Sequence, residues 1–187
     1  NISEHHYSKF EKMRKSFSDQ IKLPEEIINM VVAPDSLSAK IAETIGFKAI
    51  FSAGHATSAS NLAEPDHGLA DVGVMLNKCR EIVKAVNIPV FADADTGYGN
   101  IANVERTVRS FESIGACGLV LEDQAWPIEY NNNSDRRIEN PDVLVKKIKA
   151  AVKSRKNNDF LIMSRTDSRK KYGLADAIDR SKQYLSA

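Results

Sequence analysis

The chain alternates between two hydrophobic spacings. Five short apolar runs, Asn29-Met-Val-Val-Ala33, Lys48-Ala-Ile-Phe-Ser52, Pro89-Val-Phe-Ala92, Cys117-Gly-Leu-Val-Leu121 and Phe160-Leu-Ile-Met163, have the length and continuity of strands covered on both faces. Between them, apolar residues return every three or four positions, which predicts helices. Phe10, Met13, Phe17 and Ile21 make one stripe of a surface helix over 6–21, ended near Pro24. Leu37 to Ile45 follows Pro34-Asp-Ser36 and closes at Gly46, a residue suited to a helix C-terminus. Residues 74–86 carry Met75, Cys79, Ile82, Val83 and Val86 on one side. Ile101 to Ile114 carries Val104, Val108 and Phe111, with Gly115 after it. A further helix starts near Pro141, an early-turn position that suits proline, and a last one runs from about Leu174 to the end.

Strand then helix, five times over with short connections, predicts parallel strands joined by right-handed crossovers. Polar residues gather just after the later strands: Gly54 and Asp66, then Asp93 and Asp95, then Glu122, then Arg165. Barrels and open α/β sheets both place their sites at the carboxyl ends of parallel strands. No Gly-x-Gly-x-x-Gly follows the first strand, which argues against a dinucleotide fold, and there is no Walker phosphate loop.

Asp93-Ala-Asp95 is the centre of the pattern. Two residues apart on an extended strand, the carboxylates point the same way. Like charges side by side need a cation or protons between them. Hard oxygen ligands at a strand end suggest Mg²⁺, or Mn²⁺, with water filling most of the shell. The alternative is an acidic loop that caps the following helix.

Composition narrows the class. With 26 basic and 25 acidic residues the charge is nearly balanced, so nothing recommends nucleic acid as a partner. No apolar run is long enough to span a bilayer and no signal-peptide pattern opens the chain, so no membrane role is expected. Cys79 and Cys117 are isolated and read as inert small hydrophobes, which fits a reducing, cytoplasmic setting. Asn1-Ile-Ser3 and Asn132-Asn-Ser134 match the glycosylation triplet by chance in that setting. Without an initiator Met, the chain is expected to be processed or cropped.

Three blocks in order, Asp93-Ala-Asp-Thr-Gly-Tyr-Gly-Asn100, Gly118-Leu-Val-Leu-Glu122-Asp-Gln124 and Ser164-Arg165-Thr-Asp167, resemble the isocitrate lyase / phosphoenolpyruvate mutase superfamily. Ala33-Pro-Asp35-Ser-Leu-Ser38-Ala and Pro65-Asp66-His-Gly68 match as well, so the resemblance runs from about Ile28 onward. It implies a TIM-type (α/β)₈ barrel of which about five strand–helix units are present, read as a single partial barrel domain over 1–187, with helical residues 1–24 packing on it. It implies an Mg²⁺-dependent enzyme acting on a small 2-oxo or 2-hydroxy carboxylate through an enolate-like state, and a homo-oligomer, a tetramer in many members. By resemblance Asp93 ligates the metal, Asp95, Glu122 and Asp66 hold its waters, backbone amides around Ser52, Ala53, Gly54 and His55 hold a substrate carboxylate, and Arg165 pairs with it. Asp66, Glu122 and Arg165 are the candidate catalytic residues, and Asp93, Asp95 and Glu122 the candidate metal set.

Two departures bear on the branch. The lyases carry a Lys-Lys/Arg-Cys-Gly-His run six residues after the glutamate; here that place reads Ile128-Glu-Tyr130-Asn-Asn132, without the thiol. Tyr130, with an ordinary pKa of about 10, is a poor proton donor at neutrality. The mutases have Lys-Thr-Asn-Ser there; Asn131 to Ser134 lie nearby without the Lys. Ala53 stands where many members have a serine that touches substrate. Length is the second departure, since a closed barrel takes about 250 residues. The expected function is a carbon–carbon lyase. The alternatives are a phosphoenolpyruvate mutase, phosphonopyruvate hydrolase or oxaloacetate decarboxylase-like member, or a non-catalytic binding relative that retains the metal cradle.

Overall fold

The computed structural model describes residues 2–23, 25, 27–127 and 136–187, with side chains described from Lys9 onward. Helix α1 (Ile2–Ile21) leads into β1 (Met30–Val32), α2 (Ser36–Thr44), β2 (Ala49–Ser52), a short α3 (Gly54–Thr57), α4 (Val72–Ala85), β3 (Val90–Asp93), α5 (Ile101–Ser113), β4 (Gly118–Glu122), α6 (Pro141–Ser154), β5 (Leu161–Arg165) and α7 (Arg169–Leu185). The strands form one sheet in the order β1-β2-β3-β4-β5, every pair parallel. An order that never reverses is that of a barrel wall, because right-handed crossovers then lay every helix on one face. A doubly wound sheet would reverse its order.

Period-two alternation sorts the strand residues between two layers. Ile50, Val90, Ala92, Leu119 and Leu121 face the helices, against Met75, Cys79, Ile82, Val104, Val108 and Phe111. Ala49, Phe91 and Val120 face the other way and, with Cys117 just before β4, pack around Phe17. That second cluster exists because α1 crosses the amino-terminal end of the sheet's inner face. Phe17 meets Phe91 with ring centroids 6.2 Å apart. Buried Arg14 donates to the carbonyls of Glu112 and, at 2.8 Å, Ala116.

Local sequence sets the helix starts as expected. Asp35 and Asp71 accept from the backbone N–H groups of Ser38 and Val74, and Asn100 forms a reciprocal cap with Asn103. The first helix begins at Ile2 rather than 6. After β2 the chain is helical from Gly54 and continues as a π-turn over Ser58–Leu62. The last helix runs from about Leu174 as expected; a short helical stretch from Arg169 precedes it, set off by Gly173, whose φ of 87° is open to glycine. In α6, Lys147 is buried and donates to the Thr96 carbonyl at 2.7 Å. No helix among the described residues is long and apolar enough to cross a membrane.

Gly118 shows how tight the inner layer is. A Cβ there would stand 2.5 Å from the Leu161 carbonyl and overlap the Phe91 ring, and backbone has little room to yield. Overpacking of this kind costs about 1–3 kcal/mol. Gly118→Ala is therefore expected to lose about 2 kcal/mol or more of stability in urea unfolding; an unchanged midpoint would refute this packing.

Candidate active site

The inner face carries the chemistry because of strand register. Asp93 continues the face of Phe91, Glu122 that of Val120, and Arg165 that of Leu161 and Met163. Glu122 and Arg165 are register partners on β4 and β5. With α1 closing one end of this face, the carboxyl ends of the strands form its mouth. Asp66, Asp93, Asp95, Glu122, Gln124, Arg136 and Arg165 line a cavity there of about 10 Å³, roughly the room one water or bare cation needs.

The backbone fixes Asp93 from both sides. Its Oδ2 accepts from the Gly54 N–H at 3.0 Å and its Oδ1 from the Asp95 N–H at 3.2 Å. A Cβ at Gly54 would sit 3.2 Å from that Oδ2, so a larger residue would press on the carboxylate that this amide holds. Asp95 leaves the strand in the left-handed region, φ 45°, a conformation aspartate tolerates better than most residues. Gly97 turns the chain next with φ 86°, where a side chain would overlap Val104. The Tyr98 hydroxyl is buried beside Asp95, and its ring meets Trp126 edge-on at 6.0 Å.

Glu122 is held by Gln124, which donates to its Oε1, and by Arg165, whose Nη1 lies 3.3 Å from its Oε2. Arg165 also forks onto Asp167, with Nε at 3.1 Å and Nη2 at 3.0 Å from Oδ1. Asp123 faces away, as its position on the strand implied. Fully buried, it accepts from Thr166 Oγ1 at 2.6 Å, the Asp167 N–H at 2.9 Å and the Tyr184 hydroxyl at 2.9 Å, and pairs with Arg180 at 3.3 Å. It ties the turn after β5 to α7.

Burial dominates the electrostatics. It raises Asp93 above the ordinary carboxylate value, against the pull of the Gly54 and Asp95 amides. It pushes Asp95 up to about 8, with the Asp93, Glu122 and Asp66 charges adding to it. Glu122 is pushed up to about 7, burial outweighing the attraction of Arg165. Three carboxylates are thus short of positive charge at neutral pH. Among the described residues, no three carboxylate, imidazole or thiol groups close on one point as a ready-made metal cage.

The sequence-predicted residues fall into two groups. Asp66, Asp93, Asp95, Glu122 and Arg165 converge on the cavity. Of the segment from Ser52 to His55, the Gly54 amide reaches Asp93, while Ser52 is buried on the helix side beside Cys79 and His55 is exposed. Ala53 is half-buried at the start of α3. The stretch Ile128 to Ser134 lies outside the described residues. Gln124, Asp167 and Arg136 had no role in the sequence reading. The first two were legible, because each lies two residues beyond a face-inward partner, Glu122 or Arg165. Arg136 comes from a loop, where no periodicity points.

The family pattern described as phosphoenolpyruvate phosphomutase matches residues 17–187. The chain belongs to this family. Within the isocitrate lyase / phosphoenolpyruvate mutase superfamily it is 44% identical to the 2,3-dimethylmalate lyase of Eubacterium barkeri, over 84% of this chain and 56% of that protein. It is 40% identical to the 2-methylisocitrate lyase of Aeropyrum pernix, over 85% of this chain and 52% of that protein. A crystal structure of 2,3-dimethylmalate lyase superposes with a TM-score of 0.87 at 28% identity, covering 93% of this chain and 59% of that one. Phosphonopyruvate hydrolase with oxalate and Mg²⁺ superposes with a TM-score of 0.82 at 29% identity, covering 95% and 59%. The chain therefore spans about half the length of the relatives it matches.

The raised carboxylates give a pH signature. A folded-state pKa of about 8 for Asp95 means the folded form holds its proton more tightly than the unfolded form. Stability is then fullest below the ordinary carboxylate pKa and falls as pH rises towards 8. In metal-free buffer, Asp95→Asn is expected to melt a few degrees above the wild type at pH 8 and level with it at pH 4. Parallel melting curves at both pH values would contradict the assignment.

Proposed function

We propose that this chain supplies the catalytic mouth of an Mg²⁺-dependent carbon–carbon lyase acting on a small 2-hydroxy or 2-oxo carboxylate. The observation that carries the reading is the convergence of Asp93, Asp95, Glu122 and Asp66 with Arg165 on one cavity. The donor set is all hard oxygen and lacks positive charge, which fits a divalent cation. That no three-carboxylate cage forms among the described residues is compatible with Mg²⁺, which takes one or two carboxylates and keeps several waters. Asp93, the most firmly oriented by backbone, is the direct ligand; Asp95, Glu122 and Asp66 hold water around it. Mn²⁺ would accept the same set.

A Mg²⁺ held by Asp93 would supply Lewis acidity at the substrate's oxo or hydroxy oxygen. The chain's own groups do the rest. Arg165, preset by Asp167 and Glu122, pairs with the substrate carboxylate and holds it against the cation. Glu122, poised near 7, holds or releases a proton near neutrality. The lyases among the relatives support this branch, and dimethylmalate and methylisocitrate in their names are small hydroxy acids. The family pattern's own name keeps a mutase as the second reading.

Calorimetry with Mg²⁺ and oxalate, an enolate mimic, tests the proposal. Oxalate is expected to bind only with Mg²⁺, and Asp93→Ala to weaken it by about 100-fold or more. Mg²⁺ affinity is expected to rise from pH 6 towards 8 as Glu122 and Asp95 give up protons to admit the cation. Metal-independent oxalate binding, or a fall in affinity over that range, would overturn it.

A further inference from the structure

We propose that Lys147, on the outer helix α6, is a positioning residue for Asp95: by holding the Thr96 carbonyl it keeps the Asp95 carboxylate turned into the cavity. The inference rests on the function proposed above for what Asp95 does there, and it adds to the machinery a residue that does not line the cavity.

The turn that carries Asp95 is not one its residues favour by themselves. Of residues 95–99 only Thr96 keeps an ordinary φ: Asp95 stands at 45°, Gly97 at 86°, Tyr98 at 59° and Gly99 at 139°. Left-handed backbone is open to the glycines, tolerated by aspartate and unfavourable for tyrosine. Such a run persists only where its surroundings hold it. The Asp95 N–H donates to Asp93 Oδ1 at 3.2 Å, and the Asp95 carbonyl accepts from the Glu122 N–H at 2.8 Å. The Gly97 N–H closes the turn on the Ala94 carbonyl at 2.7 Å, while Thr107 Oγ1 reaches the Gly97 carbonyl only at 3.4 Å. Asp93 Oδ1 is a carboxylate oxygen, and a cation bound at Asp93 competes for it.

Lys147 supplies a hold that does not draw on the site carboxylates. Its Nζ donates to the Thr96 carbonyl at 2.7 Å, a charge-assisted bond to the residue next to Asp95. Thr96 is fully buried, so its carbonyl has no water to take in place of that donor. The buried positions of α6 are Leu144, Lys147, Ile148 and Ala151. An apolar residue would fill the second of them without desolvating a charge. Burial lowers the ammonium's pKa from its ordinary value, against the pull of Glu139, so the charge is kept there at a cost in stability. With the Thr96 carbonyl fixed, the turn cannot relax towards right-handed backbone without breaking this bond. Asp95 then stays in the cavity that Asp93 and Glu122 also line.

Calorimetric titration with Mn²⁺ reads the effect in wild type, Lys147→Met, Asp95→Ala and the double variant, with melting curves alongside. Lys147→Met is expected to weaken Mn²⁺ about 10-fold in the folded protein, as loss of a group that orients a site residue does. On the Asp95→Ala background the same change is expected to add less than about twofold, because Lys147 acts through Asp95. Should Lys147→Met not fold, Lys147→Gln takes its place, its amide being too short to keep the bond to Thr96. A lower melting temperature with unchanged Mn²⁺ affinity would overturn the proposal and leave Lys147 a fastener of α6 alone. An undiminished loss in the double variant would overturn it too. A wild type that binds no Mn²⁺ would instead bring down the proposed function. Metal-free crystals of Lys147→Met then decide the inference: Asp95 is expected to leave its φ of 45°, and an unmoved Asp95 would overturn it.

Discussion

Four carboxylates meet at the carboxyl ends of β3 and β4 and the loop after α3, in a place their charges oppose. Asp93 and Glu122 are nearly out of solvent, and burial raises both, with Asp95 raised to about 8. An acid so placed either keeps its proton or finds a cation. Arg165 answers part of the deficit at Glu122 but meets none of the other three at bonding distance in the described contacts. Much of the surrounding structure holds these groups where they are.

Three supports do this from different directions. The Gly54 amide at the start of α3 holds one oxygen of Asp93, and the strand's own turn, through the Asp95 amide, holds the other. Asp123, on the opposite face of β4 from Glu122, anchors the turn after β5 and so sets Arg165 and Asp167. At the far end, α1 fills the inner face with Phe17 and Arg14, keeping water from the base of the strands that carry the acids. Packing and charge are linked: the same alternation that buries Phe91 and Val120 points Asp93 and Glu122 into the mouth.

The fold was legible because its signal is repetitive. Continuous apolar runs separated by helical stripes admit few arrangements, and parallel pairing followed from connection length. Residues on strands were legible for the same reason, as period two put Asp93, Glu122 and Arg165 on one face. Where the reading fell short, the determinant was not periodic. The helical segment after β2 is built from Gly, Ser, Ala and Thr, whose local preference is for caps and turns, and packing of Gly54, Thr57 and Ser58 overrides it. Lys147 looks like one more surface lysine until α6 rotates it under the Thr96 carbonyl. Arg136 reaches the site through a chain reversal beside β4 that no spacing encodes.

Crystals soaked with Mn²⁺ and measured at the manganese absorption edge test the central claim most directly. One anomalous peak is expected among Asp93, Asp95, Glu122 and Asp66, beside Asp93, and it is lost in Asp93→Ala with the strands unmoved. A peak elsewhere, or none at this cluster in well-ordered crystals above pH 8, would mean the carboxylates stay protonated and the cation chemistry assigned to them is wrong.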